Sequence, residues 1–116
     1  MILKWHTIKD HENYQINRMG QVRNKRTGKI LKPYDDGHGY LRVKLDGKSL
    51  RLHILVAKQF VPNPDPSTKT VVNHKKGNKH DPRASQLEWV TQRENVIHAW
   101  RYGLISKRGT KVRARA

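Results

Sequence analysis

The chain has 116 residues, with 25 Lys and Arg against 9 Asp and Glu, a formal net charge of +16 and no cysteine. A chain of this length holds one domain, or one domain with appendages, and the missing cysteines exclude disulfides, thiolate zinc centres and a cysteine nucleophile. No apolar run approaches the ~20 residues of a membrane span, and residues 1–5 lack the long apolar stretch of a secretory signal behind them.

The excess charge runs along the whole chain: +6 over residues 1–50, +4 over 51–100 and +6 over 101–116. A folded body so charged repels itself, and a polyanion offsets that repulsion. Nucleic acid, met through phosphate contacts and counterion release, fits best.

In chain order, residues 5–8, 14–17 and 20–24 read as short strands, with a polar linker over 9–13 and a turn at Met19-Gly20. A basic turn over 25–28 leads into an extended stretch, 29–32, that stops at Pro33. Residues 33–39, around Asp35-Asp36-Gly37, read as a loop. Residues 39–52 alternate apolar and polar about Asp46-Gly47, which signals a two-residue type I′ hairpin. Counting outward pairs Leu45 with Lys48, Val43 with Leu50 and Leu41 with Leu52 on a mostly apolar side. Tyr40, Arg42, Lys44, Ser49 and Arg51 share the other side, with Arg42 opposite Arg51. Like charges placed opposite one another are destabilising, so this side reads as a face that meets phosphates.

Residues 53–60 read as a short helix with Leu52, Leu55, Val56 and Phe60 inward. Pro62, Pro64 and Pro66 then force an extended loop. Residues 70–74 and 87–90 are strands, joined through a turn at 75–78 and a loop at 82–85. Thr91 with Glu94 forms a capping box ahead of a helix whose apolar face is Val96, Ile97, Trp100 and Leu104, and Gly103 is its natural stop. Trp89 and Trp100 have apolar neighbours and read as core residues. Residues 104–116 read as a basic tail that could follow a nucleic-acid backbone.

The segment from Asn73 to His98 carries the chemistry. Strand, turn, strand and helix form a compact unit that can hold Asn73, His74, Asn95 and His98 together. A neutral imidazole of ordinary pKa, about 6.5, suits a general base. Asn side-chain oxygens suit a hard cation such as Mg²⁺. Phosphodiester hydrolysis calls on both functions. His53 and His80 are weaker candidates, and His6 and His11 read as surface residues.

The order of these residues resembles a known family. Val72-Asn73-His74-Lys75-Lys76-Gly77-Asn78-Lys79, then Gln86-Leu87-Glu88-Trp89-Val90-Thr91, then Glu94-Asn95-Val96-Ile97-His98-Ala99 is similar to the HNH endonucleases of the phage and homing type. His53-Ile54-Leu55-Val56-Ala57 and Phe60-Val61-Pro62-Asn63-Pro64 extend the likeness, with Ile54 where the family usually has Arg. Residues 5–8, Tyr14-Gln15-Ile16-Asn17, Gly20-Gln21-Val22-Arg23, Ile30-Leu31-Lys32-Pro33 and Gly39-Tyr40-Leu41-Arg42-Val43 look like the small β-rich module often found ahead of HNH domains, regarded as a DNA-binding element.

The resemblance implies an α+β protein. An antiparallel β-hairpin module would occupy residues 1–50, a ββα-metal nuclease domain 51–103 and a basic flexible tail 104–116. It implies a divalent-metal-dependent DNA endonuclease with His74 as general base. Asn73 and Asn95 would hold one Mg²⁺ or Mn²⁺ per active site, and His98 matches the family's trailing His. Gln86 stands where the family's middle Asn orients the base through backbone hydrogen bonds, and Asp81-Pro82 replaces a usual Asn-Asn pair as a tolerated loop change.

The expected DNA contacts are Arg23, Lys25, Arg26, Tyr40, Arg42, Lys44, Arg51, Lys75, Lys76, Lys79 and Arg93. The implied partner is double-stranded DNA, met by a monomer or weak homodimer with no membrane association. The implied setting is the bacterial cytoplasm, with a phage source. The alternative is a catalytically degenerate DNA-binding protein on the same scaffold: Gln is one methylene longer than Asn, and misplacement by ~1 Å can lower a rate ~100-fold. An RNA-binding ribosomal-type protein would explain the charge but not the ordered spacing.

Overall fold

The computed structural model describes residues 3–101 and Gly103, so Leu104 and the expected tail over 104–116 lie outside the described residues. Strands β1 (His6–Ile8), β2 (His11–Ile16) and β3 (Val22–Asn24) form one antiparallel sheet in that order. The expected linker over 9–13 shrinks to the turn Lys9-Asp10, and β2 starts at His11. Asp10 takes φ 67°, a left-handed conformation that Asp tolerates, and this turn places Ile8 opposite His11. The stretch 29–32 joins this sheet only through a single bridge between Arg23 and Ile30.

The expected loop over 33–39 contains a short strand, β4 (Tyr34–Asp35), paired with β5 (Leu41–Leu45). Between them, Asp35 Oδ1 accepts the N–H groups of Gly37 and Gly39, and Asp36 Oδ1 accepts those of His38 and Tyr40. Two carboxylates thus build a compact turn from a segment with little side chain to pack.

Strand β6 (Lys48–Arg51) follows β5 in the counted register: Leu45 faces Lys48, Val43 faces Leu50 and Arg42 faces Arg51. Asp46 and Gly47 both have positive φ, as a type I′ turn requires. The Leu41–Leu52 pair does not form, because Leu52 leaves the ladder to open α1 (Leu52–Phe60) and is fully buried. The facing arginines take separate partners. Arg42 donates through Nη1 to the Ser49 carbonyl at 3.0 Å and lies 3.5 Å from Asp36, while Arg51 lies over the Tyr40 ring at 4.9 Å.

Strands β7 (Val71–His74) and β8 (Leu87–Val90) form a two-stranded antiparallel sheet, with a 3-10 turn at Ala84–Gln86 just before β8. The capping box of α2 (Gln92–Arg101) is reciprocal. Glu94 N–H donates to Thr91 Oγ1 at 3.0 Å, and Thr91 N–H donates to Glu94 Oε1 at 2.9 Å. Helix α2 packs along β7 and β8 but buries none of its described residues, and Trp100 is 41% exposed rather than in the core. Trp89 is half-buried, with its indole N–H on the Val61 carbonyl at 3.0 Å.

One buried cluster joins all of these pieces: Ile8, Ile16 and Val22 from the first sheet, Val43 and Leu45 from the second, Leu52, Val56 and Ala57 from α1, and Ala84 and Leu87 beyond. Residues on both sides of position 50 therefore share a core. Ala84 N–H also donates to the Arg18 carbonyl at 2.9 Å. Beside that bond, Gly20 approaches Pro82 so closely that an added Cβ would sit 2.6 Å from the ring carbons. No helix among the described residues is long and apolar enough to cross a membrane.

Gly20 and Gly28 both have positive φ, but only Gly20 is crowded. Gly20→Ala is expected to lose about 1–3 kcal/mol more stability than Gly28→Ala, the difference being overpacking against Pro82. Urea titration of both variants checks this, and equal losses would contradict the packing.

Candidate functional site

Strand β7 ends in Asn73-His74, and side-chain alternation along a strand sends them to opposite faces. Asn73, 7% exposed, lies directly across from Glu88 and donates its Nδ2 to Glu88 Oε2 at 2.8 Å. A carboxylate only accepts, so the amide nitrogen must face Glu88 and Oδ1 is the opposite end, able to accept or to ligate.

His74, 5% exposed, turns toward α1, where its ring lies 4.8 Å from that of His53, centroid to centroid and tilted by 40°. His53, also 5% exposed, stacks on Tyr40 at 5.1 Å with 18° between planes. Two ring nitrogens here are buried without a hydrogen-bond partner among the described residues: His53 Nδ1 and His74 Nε2. Burial pushes the His74 pKa down to about 4, with Asp81 opposing and Lys79 assisting. Burial likewise pushes His53 to about 3, helped by His74 and Arg51 and opposed by Asp36. The ordinary value expected from sequence does not hold: both rings are neutral at neutral pH, the form that can accept a proton.

Gln86 and His98 converge on the peptide of Lys75, the residue after His74. The Gln86 carbonyl accepts Lys75 N–H at 2.8 Å. His98 Nε2 sits 2.6 Å from the Lys75 carbonyl, which only accepts, so that nitrogen carries the hydrogen. The Gln86 side-chain amide makes no hydrogen bond among the described residues. Its backbone, not its amide, ties down this loop.

Asn95 lies in the second turn of α2 and lines an open cleft of about 410 Å³ with Tyr40, Arg51, His53, Ile54, Lys58 and Trp89. Lys58 is a functional candidate that sequence reading passed over. It stands one helical turn after Ile54 on α1, and both line the cleft, so Lys58 supplies a cation close to where the family usually has Arg.

Of the other expected DNA contacts, Lys25, Arg26, Lys44, Arg51, Lys75, Lys76 and Arg93 are exposed. Arg23 is half-buried, donating through Nε to Gln15 at 2.9 Å with its guanidinium 4.2 Å from the Trp5 ring. Arg42 is engaged by Asp36 and Ser49. Lys79 donates to the His38 carbonyl at 3.2 Å and lies 4.5 Å over the Tyr40 ring. Tyr40 is thus covered by His53, Arg51 and Lys79, and gathers two cations beside the site rather than offering an open face to a base.

Among the described residues no group of three or more His, Asp or Glu side chains could hold a metal ion. Asn73 lies on the Glu88 side of the β7–β8 ladder, and Asn95 lines the cleft beside His53; a carboxamide oxygen is a ligand type that hard cations take.

Residues 4–46 match the family model of the NUMOD4 motif. The chain is 45% identical over 104 residues to an uncharacterized HNH endonuclease of Acanthamoeba polyphaga mimivirus, covering 85% of this chain and 26% of that protein. It is 35% identical over 109 residues to the DNA endonuclease I-HmuI of Bacillus phage SP01, covering 90% of this chain and 62% of that protein. A solved structure reporting DNA binding and cleavage by the HNH homing endonuclease I-HmuI matches with a TM-score of 0.76 at 34% identity, over 89% of this chain and 61% of that one. The chain spans between 26% and 62% of the length of the curated relatives it matches.

The two buried imidazoles make stability depend on pH. An unfolded histidine titrates near about 6.5, whereas these titrate at about 4 and about 3 when folded. Between those values the unfolded chain binds more protons, so stability rises with pH. Their contribution is complete above about pH 6.5 and fades as pH falls toward the folded values. Urea midpoints are expected to drop from pH 6.5 to pH 5, less steeply in His53→Phe. A flat profile for the natural chain would contradict their burial.

Proposed function

The chain is an HNH-type relative of the phage and homing endonucleases with a NUMOD4 motif near its start, and on that footing we propose that it hydrolyses phosphodiester bonds in double-stranded DNA with a divalent cation. The observation that carries the reading is His74, an imidazole kept neutral by burial, next in the strand to an Asn73 whose oxygen is left available by Glu88.

In this mechanism His74 takes a proton from a water molecule, and the resulting hydroxide attacks phosphorus in line with the departing 3′ oxygen. The products are a 3′-hydroxyl and a 5′-phosphate. Asn73 and Asn95 would hold one Mg²⁺ or Mn²⁺ through their amide oxygens. When bound, that ion supplies positive charge against the charge developing on the phosphoryl and departing oxygens. Glu88 fixes the Asn73 amide. Gln86 and His98 hold the Lys75 peptide and with it the end of β7, so their role is to position His74. Arg51 and Lys58 meet neighbouring phosphates in the cleft, and the exposed lysines and arginines of both halves extend that contact along the duplex.

One site per chain makes a nick the elementary product, and a double-strand break needs two chains or two encounters. With relatives in a Bacillus phage and in a virus of Acanthamoeba, the setting we propose is the cytoplasm of an infected host. The unbonded Gln86 amide favours one second reading, a DNA-binding protein on a degenerate scaffold.

Supercoiled plasmid incubated with Mg²⁺, Mn²⁺ or chelator decides between them. The natural chain is expected to nick with either ion and not with chelator. His74→Ala should lower the rate by about 10²–10⁴-fold while salt-sensitive DNA binding persists. Cleavage by His74→Ala at the natural rate would contradict the assignment. Binding without cleavage by the natural chain, with cleavage appearing in Gln86→Asn, would select the second reading.

A further inference from the structure

The mechanism above leaves His53 without a task, yet its burial needs a reason. Helix α1 is otherwise packed through aliphatic residues, with Leu52, Val56 and Ala57 fully buried. Placing an imidazole among them with an unpaired Nδ1 is destabilising, a cost that an apolar side chain would avoid. His74 carries the same defect at Nε2. These two nitrogens belong to rings whose centres are 4.8 Å apart. That separation is close to what two imidazoles joined edge to edge by one N–H···N bond require.

We propose that His53 is a positioning residue for His74, accepting through its Nδ1 a hydrogen bond from His74 Nε2–H. Every neutral imidazole has one N–H and one lone pair. With its hydrogen held at Nε2, His74 keeps its lone pair on Nδ1, and that nitrogen receives the proton from water. No proton passes to His53. As His74 becomes an imidazolium, its Nε2–H is a charged donor and the bond to His53 strengthens, so the stabilisation is greatest when the charge appears. His53 thus serves as the third group that orients a base and answers its charge. Tyr40 stacks on the face of His53, with its ring 6.2 Å from that of His74, and keeps the His53 ring from swinging away. His53 touches no reacting atom.

The inference rests on the nuclease reading for its consequence, but the hydrogen bond can be observed without cleavage. In ¹⁵N-labelled natural chain at neutral pH, NMR is expected to show a scalar coupling between His74 Nε2 and His53 Nδ1, with both rings in the Nε2–H form. His53→Phe keeps a flat ring against Tyr40 but cannot accept. It should lower kcat roughly tenfold or more with KM within twofold. His53→Gln, whose amide oxygen can accept, should recover part of that loss.

A His74 ring carrying its hydrogen on Nδ1, or full kcat in His53→Phe, would overturn the proposal. If His53→Phe fails to fold, the coupling in the natural chain decides alone. Coupling present in a natural chain that cleaves no DNA would support the imidazole pair and refute the nuclease reading. Cleavage without coupling would refute the pair and leave that reading standing.

Discussion

The register between β7 and β8 is the constraint on which the site depends. It sets Asn73 across from Glu88 and His74 across from Leu87. One face of the ladder then pins an amide by its nitrogen, while the other drives an imidazole into the protein against α1. A shift of one residue would exchange those faces. The pinned amide would lose its carboxylate, and the ring would lose the apolar surroundings that keep it neutral. The clamp on the Lys75 peptide, made by the Gln86 carbonyl and the His98 ring, holds this register where β7 ends and a twelve-residue excursion begins.

The two halves of the chain are physically coupled around that ladder. The first sheet reaches the excursion through the Arg18 carbonyl and the close approach of Gly20 to Pro82. The β4–β5 turn reaches it through Asp35, 2.6 Å from His80, and through the His38 carbonyl, bonded to Lys79. The hydrogen bond from His80 and those from the turn hold the Asp35 carboxyl below its usual pKa range, so it stays charged where it anchors the turn. Acidic residues are spent inside the fold in this way: Asp35 and Asp36 build a turn, Asp81 binds Arg83, and Glu94 caps α2 and binds Lys69. Lys25, Arg26, Lys44, Lys75, Lys76 and Arg93 stay exposed, which gives the described surface cations suited to phosphates.

Legibility in the sequence followed how locally each feature was determined. Asp46-Gly47 settles the β5–β6 register because a two-residue turn leaves no freedom, and Thr91 with Glu94 marks the start of α2 for the same reason. Strand β4 escaped because its partner and two aspartate turns, not its own two residues, create it. Glu88 escaped because the long excursion between β7 and β8 hides which residue faces Asn73. His53 carries a readable signal, since positions 53, 56, 57 and 60 fall on one side of a helix. The apolar neighbours of Trp100 in sequence point to the core, whereas among the described residues α2 has no second layer over it and Trp100 is 41% exposed. The roles given to Asn73, His74 and Asn95 came from the order of motifs, which no composition or periodicity supplies.

Diffraction from the natural chain with a DNA duplex and Mn²⁺, using the anomalous signal to locate the ion, tests the proposed chemistry most directly. The ion should lie between the Asn73 and Asn95 amide oxygens, with the scissile phosphate between it and the His74 ring. An ion bound at Glu88 or Asp81 instead, with the phosphate beyond reach of His74, would contradict it.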